Sequence, residues 1–311
     1  MAEKKDLTGP DLTRGIPFSE LTDGNMLQGH AKGEPILVTR RGDGYFAIGA
    51  ICTHYGAPLA TGIIVEDTVR CPWHHACFSL RTGEALRAPA LDPVTCWKVE
   101  TRDGKLFVRD EEPERKPAVA GSAKMPESVV IVGGGAAGNA AAEMLRREGY
   151  RGDLTMLSAD DSVPYDRPTL SKEFLSGSAD EKMLPLRSRD FYKKHKIELL
   201  LDTRVGAIDP QNKVVQLADG EQRKFDALLL ATGAEPVKLK VPGADLAHVC
   251  YLRSQSDCRA IIAQADKAKR IVLVGASFIA MEVASSLIQR KLEVHIVAPE
   301  EVPMARVLGP Q

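Results

Sequence analysis

The stretch SVVIVGGGAAGNAAAEMLRREGYRGDLTML, Ser128 to Leu157, decides the fold of the larger part of the chain. VVIVG is a short apolar strand, the glycines make a turn, NAAAEMLRREG is a helical run, and DLTML is a second strand. Together they spell a βαβ unit, so the region is α/β. Gly133, Gly135 and Gly138 form a GxGxxG pattern directly after the strand and before the helix. Glycines at these places allow a tight turn, a close approach of backbone to a pyrophosphate and close helix–strand packing, while the helix N-terminus supplies N–H donors and positive dipole. Asp160 follows the second strand, 22 residues past Gly138, where a carboxylate accepts the ribose hydroxyls of a dinucleotide. A turn-capping Asp fits the same position, and Asp161 can substitute in register.

A related unit, RIVLVGASFIAMEVASSLIQRKLEVHIVAPE, begins at Arg270, so the chain holds two copies of one nucleotide-binding grammar. Gly275, Ser277 and Ala280 occupy its three glycine positions. Ala is accepted at the third, but Ser at the second crowds the pyrophosphate approach. The usual ribose-binding acid aligns with Ala298, and Glu300 lies two residues on. An acid there disfavours a 2′-phosphate, so NADH is expected over NADPH. By spacing alone Glu282 is a carboxylate on the helix surface.

Upstream the text changes. From Ile36 to Asp110 short alternating segments such as ILVTR and YFAIGA are broken by turns such as RGDG, which is the pattern of an all-β domain. EEPERKPAVAGSAKMP, Glu111 to Pro126, has neither periodicity and reads as a linker. The expected division is residues 1–110 all-β, 111–126 linker, 127–245 the first dinucleotide domain and 246–311 the start of a second. The 41 basic and 42 acidic residues, 44% hydrophobic and 5% aromatic content give no polycationic face for nucleic acid. No apolar run approaches a membrane span, so a cytoplasmic, unanchored protein is expected.

Six cysteines at irregular spacing do not suggest a secreted disulfide framework. Two sit beside histidines at ligand spacing: Cys52 with His54 and Cys71 with His74, with sixteen residues between His54 and Cys71. A Rieske 2Fe-2S cluster takes two thiolates on one iron and two imidazoles on the other, and two loops each giving one of each satisfy it. A structural zinc also accepts two Cys and two His, and unligated core residues are the blander reading. His75 reads as an exposed loop residue, since adjacent side chains in a tight loop point apart. Cys77, Cys96, Cys250 and Cys258 read as small buried residues or unreactive surface thiols.

The segments CTHYGAPLATG from Cys52 and CPWHHACFSLRTGEALRAPA from Cys71 resemble Rieske-type ferredoxins. Respiratory cytochrome bc relatives carry two more cysteines in a disulfide, at positions matching Ala57 and Trp73, and Ser and Tyr hydroxyls at positions matching Ala76 and Phe78. The resemblance thus implies neither clamp nor hydroxyl donors, and a low potential, near roughly −150 mV, because each lost donor destabilises the more negative reduced cluster. PYDRPTLSK, Pro164 to Lys172, resembles a signature of flavoprotein reductases serving ferredoxins and oxygenases, which implies FAD contacts for Arg167 and Lys172. DTRV with Val205, and FDALLLATGAEP with Thr232 and Gly233, match that family in order and spacing. Glu282 matches a family Glu near the nicotinamide. Disulfide-reducing relatives carry a redox cysteine pair beside the flavin, and none stands between Gly138 and Val249.

Over essentially the whole chain the order resembles the apoptosis-inducing factor-like oxidoreductases and their bacterial Rieske-containing counterparts, of ferredoxin reductase type, within the FAD-dependent pyridine nucleotide-disulphide oxidoreductases. The resemblance implies hydride transfer from NAD(P)H to FAD, single-electron steps to the 2Fe-2S cluster, and delivery to an acceptor, protein or small molecule. A redox-sensing protein with little turnover is the alternative. An oxygenase component is not expected, because no site of two His and one carboxylate follows the Rieske part. That family continues with a returning flavin segment and an interface domain, so the chain is expected to be truncated at its C-terminus.

Overall fold

The structure, a computed structural model, describes residues 7–113 and 125–309. Most of the expected linker therefore lies outside the described residues. The chain divides into two compact units, Met1–Pro117 and Ala118–Gln311.

The first unit is all-β. One antiparallel sheet has the order β1 (Ile16–Pro17), β10 (Lys105–Glu112), β9 (Cys96–Arg102), β4 (Gly44–Gly49), β3 (Glu34–Arg41) and β2 (Met26–Ala31). Its hairpins turn on Lys32-Gly33 and Asp103-Gly104, where all four residues have positive φ, so the turns carry the twist that antiparallel strands need. Strand β10 pairs Glu111 with Trp97 and Glu112 with Cys96. It thus runs two residues past the expected boundary at Asp110; the register of β9, not the charge of the two glutamates, decides the strand end. A second antiparallel sheet, in the order β5 (Ile63–Val65), β6 (Thr68–Arg70), β7 (Cys77–Ser79), β8 (Ala85–Arg87), carries the Cys71 loop between β6 and β7. The core shared with this sheet gathers Leu37, Ile48, Leu59, Val69, Phe78 and Leu80, with Cys52 and Cys71 in the same cluster.

The second unit is α/β. Its parallel sheet has the order β13 (Glu198–Leu200), β12 (Asp153–Leu157), β11 (Ser128–Val132), β17 (Ala227–Leu230). Valine and isoleucine in β11 are buried on both faces, as expected for a central parallel strand. Helix α1 (Ala136–Arg147) returns the chain from β11 to β12, and Gly149, at φ 87°, lets it turn out of the helix. A four-residue helix α2 (Glu173–Ser176) and helix α3 (Arg189–Lys194), capped by Ser188, precede β13. An antiparallel meander, β14 (Val205–Asp209), β15 (Val214–Leu217) and β16 (Gln222–Lys224), stands between β13 and β17. Helix α4 (Gln255–Ala265) begins at a Ser254–Asp257 capping box. The second βαβ is β18 (Arg270–Val274), α5 (Phe278–Gln289) and β19 (Glu293–Val297), its two strands parallel, and a short α6 (Ala305–Leu308) follows. Among the described residues no helix is long and apolar enough to cross a membrane.

Candidate functional site

In the first unit the two loops that carry the Cys/His pairs are built alike. The Cys52 N–H donates to Ala57 O at 2.8 Å, and the Cys71 N–H donates to Ala76 O at 2.8 Å. The fourth residue on, Gly56 or His75, donates back to the cysteine carbonyl at 3.0 and 3.1 Å, and both have positive φ. Antiparallel pairs close each loop at its base, Ile51 with Pro58 and Arg70 with Cys77. His75, at φ 60°, is exposed and spent on the turn, as the sequence reading expects.

The four side chains sort by depth. Cys52 and Cys71 are each 2% exposed, their sulfurs within hydrogen-bonding reach of each other, and they form no disulfide. Burial pushes the Cys52 thiol up, opposed by N–H donation from the backbones of His54 and Tyr55. His54 is half-buried and His74 exposed, with ring centroids 5.0 Å apart and planes at 83°. Among the described residues no three His, Cys, Asp or Glu side chains converge as ligands of one ion. Two pairs, sulfur inside and imidazole outside, meet the demand of two irons taking two protein ligands each. Tyr55 lies against His54 at 4.0 Å, Trp73 lies 6.5 Å from His74, and both aromatics are about half exposed. Ala57, Ala76 and Phe78 are buried, so the positions of clamp and hydroxyl donors hold apolar groups.

In the second unit the glycine turn follows β11. Gly133, at φ 122°, takes a conformation L side chains rarely adopt, and a Cβ there would lie 2.2 Å from Ala231 O. A Cβ on Gly138 would lie 2.0 Å from Gly133 O. Gly135 differs: its Cβ would face open space, with Arg167 Nη2 the nearest atom at 3.9 Å. Gly135 also precedes α1 as its N-cap. That is a cradle with a cation over it. Arg167 and Asp160 stand together, Nη2 to Oδ2 3.8 Å, with the Tyr165 hydroxyl donating to Asp160 at 2.9 Å. Asp161 turns away to Arg259 at 3.2 Å, so Asp160 is the carboxylate beside the cradle.

Arg253 and Gly134 escaped sequence reading. Arg253 accepts from Arg167 through its carbonyl, and its Nη2 lies 2.9 Å from where a Gly233 Cβ would be. It sits in no spaced motif; only the fold brings it to Gly233. Gly134, the x of the motif, would clash with Ser158 Oγ at 2.3 Å if it carried a Cβ, and the unbroken GGG was its signal. Thr232 flanks the same turn, its N–H nitrogen 3.1 Å from the Gly133 Cβ position. Val205 packs with Val130 and Val132 in the core beneath.

The second glycine turn repeats the first: Gly133 N–H donates to Leu157 O and Gly275 N–H to Val297 O, both at 2.8 Å, the acceptor in each case being the last residue of the second strand. Gly275 has φ 117°, Ser277 is the N-cap of α5, and Ala280 lies in its first turn. Glu282 on α5 meets the flavin signature: Lys172 Nζ is 3.1 Å from Oε1, and Ser171 Oγ donates to Oε2 at 2.6 Å. It is therefore no bare surface carboxylate. Glu300 lies three residues beyond β19, partly buried.

A loop pair of two Cys and two His ahead of a dinucleotide-binding α/β unit defines an iron–sulfur oxidoreductase class. Residues 127–311 match the family model described as pyridine nucleotide-disulphide oxidoreductase, and residues 15–98 match the Rieske [2Fe-2S] domain. The chain belongs to the pyridine nucleotide-disulphide oxidoreductase family and carries a Rieske domain in front. It is 34% identical over 301 residues to apoptosis-inducing factor 3 of Homo sapiens, covering 93% of this chain and 49% of that protein. With rubredoxin-NAD(+) reductase of Pseudomonas putida it shares 38% over 183 residues, 59% of this chain and 48% of the relative. Among solved structures, the putidaredoxin reductase–putidaredoxin complex matches at 34% identity and TM-score 0.55, over 59% of this chain and 45% of that one. A ferredoxin reductase of Rhodopseudomonas palustris matches at 35% and 0.56, with the same coverage. The chain spans about half the length of the curated relatives it matches.

Proposed function

We propose that the chain serves NADH-dependent electron transfer, in which FAD would take a hydride and a low-potential Rieske cluster would pass single electrons to an acceptor. What carries this reading is the presence, in one polypeptide, of paired Cys/His loops and a glycine cradle roofed by Arg167. FAD bound there supplies the conversion of an electron pair into single electrons. The residues would do the holding. The Gly135 turn and the N-terminus of α1 face the pyrophosphate, Arg167 and Arg253 balance its charge, and Asp160 accepts from the ribose hydroxyls. Lys172, tied to Glu282 at 3.1 Å, would supply a cation beside the flavin, where positive charge favours the reduced form. Gly275, Ser277 and Ala280 receive the nicotinamide dinucleotide, and Glu300 disfavours a 2′-phosphate, supporting NADH.

Cys52 and Cys71 would hold one iron and His54 and His74 the other, and the more exposed imidazoles would make their edge the electron exit, to a small redox protein or small-molecule acceptor. Two relatives are named for ferredoxin or rubredoxin reduction, which supports a protein acceptor. The test is an absorption and EPR spectrum of the purified chain, titrated anaerobically with NADH. A Rieske signal appearing as the flavin bleaches is expected. A colourless, zinc-loaded protein would falsify the cluster assignment, and a flavin that NADH leaves oxidised overturns the enzyme reading.

A further inference from the structure

The Tyr165 hydroxyl is a buried polar group that has no direct task in holding FAD. Tyr165 is 4% exposed, yet its hydroxyl uses all of its hydrogen-bonding capacity. It donates to Asp160 Oδ2 at 2.9 Å, and accepts from Arg167 Nη1 at 3.2 Å and from the Gln255 N–H at 3.0 Å. The Arg167 guanidinium also lies over the Tyr165 ring, 5.0 Å from its centroid, and donates to Arg253 O. Asp160 and Arg167 are opposite charges that stay 3.8 Å apart at their nearest atoms. The hydroxyl occupies the place where a direct charge-assisted bond between them would otherwise form.

Resting on the FAD reading of this site, we infer that Tyr165 is a positioning residue that keeps Asp160 and Arg167 from neutralising one another, leaving the carboxylate for ribose hydroxyls and the guanidinium for pyrophosphate. Burial pushes its phenol up to about 12, so the hydroxyl remains a donor to Asp160 throughout the working pH range. Its third bond, to Gln255, ties this pair to the start of α4, the element that leads into the nicotinamide unit. A purely structural tyrosine would pack as well without a charged pair on either side.

The experiment is a double-mutant cycle on FAD affinity in the full chain, using Tyr165→Phe, Asp160→Asn and both together, with flavin fluorescence titrated into deflavinated protein. Tyr165→Phe is expected to weaken FAD about tenfold, one charge-assisted hydrogen bond's worth. Asp160→Asn should then cost at least threefold less in the Phe background than in the wild type, because the acid is already engaged by Arg167. Equal affinity for wild type and Tyr165→Phe, or strictly additive losses, overturns the inference while leaving the FAD site standing. A wild-type chain that takes up no FAD overturns the site and the inference together. If Tyr165→Phe does not fold, the cycle of Arg167→Lys with Asp160→Asn in the chain that keeps Tyr165 decides: additive losses are expected, each group acting on its own part of FAD, and strong coupling between the two overturns the inference.

Discussion

Gly134, Gly135 and Gly138 are near neighbours with opposite consequences. A methyl on Gly138 meets a backbone oxygen at 2.0 Å that cannot step aside, so Gly138→Ala is expected to lower stability by about 1–3 kcal/mol in chemical denaturation. Gly135 has φ −88°, which alanine accepts, and only Arg167 within 4 Å. Gly135→Ala should keep the fold to within about 1 kcal/mol, the loss typical of a poorer N-cap, and instead weaken FAD in a fluorescence titration. The GxGxxG spacing made these positions legible because each glycine answers a backbone constraint written within a few residues. Arg253 was not legible, since its place beside Gly233 depends on how the chain returns before α4. The choice between Asp160 and Asp161 was equally closed to the sequence; it turns on Tyr165 and Arg259, one of them 98 residues from its Asp161 partner.

Among the elements, α1 is joined to the segment before α3 by a buried polar set. Arg187 donates to both Glu143 oxygens at 3.0 Å, Asn139 donates to Glu143 at 2.7 Å, and Tyr192 donates to Asn139 at 2.7 Å. Glu143 is nearly fully buried, so removing its cation leaves a charge without compensation. Arg187→Ala should cost about 3–5 kcal/mol in urea unfolding; a loss below 1 kcal/mol would mean the pair is solvated. A lighter latch joins the starts of β11 and β17. Asp226 accepts from the Ser128 N–H at 2.9 Å and the Ser128 hydroxyl at 3.1 Å, and these bonds hold its carboxyl below the usual range. A depressed folded pKa stabilises above the unfolded value and loses that contribution as pH falls. Asp226→Asn should therefore unfold with a shallower acid dependence below about pH 4, read from melting temperatures across pH. Both βαβ units were legible from apolar runs and glycine turns. The end of β10 was not, because cross-strand pairing with β9 overrides the charge of Glu111 and Glu112.

For the molecule as a whole, charge and composition gave no polycationic face but said nothing of the depth at which Cys52, His54, Cys71 and His74 lie. With apolar Ala57, Ala76 and Phe78 where donors or a clamp would raise the potential, a redox titration followed by EPR should give a midpoint near roughly −150 mV. A value well above zero would show that the N–H groups of His54 and Tyr55, and others like them, outweigh the missing hydroxyls. At the low value a reduced flavin can feed the centre, and quinol cannot.

The paired loops also bear on how such a protein matures. Each closes through its own backbone, cysteine N–H to alanine carbonyl and the N–H four residues on back to the cysteine carbonyl. Little chain entropy is then left to lose when iron and sulfide arrive. Newly made polypeptide should present two finished half-sockets to the delivery machinery, and amide exchange of Cys52 and Cys71 in cluster-free protein should already be slow.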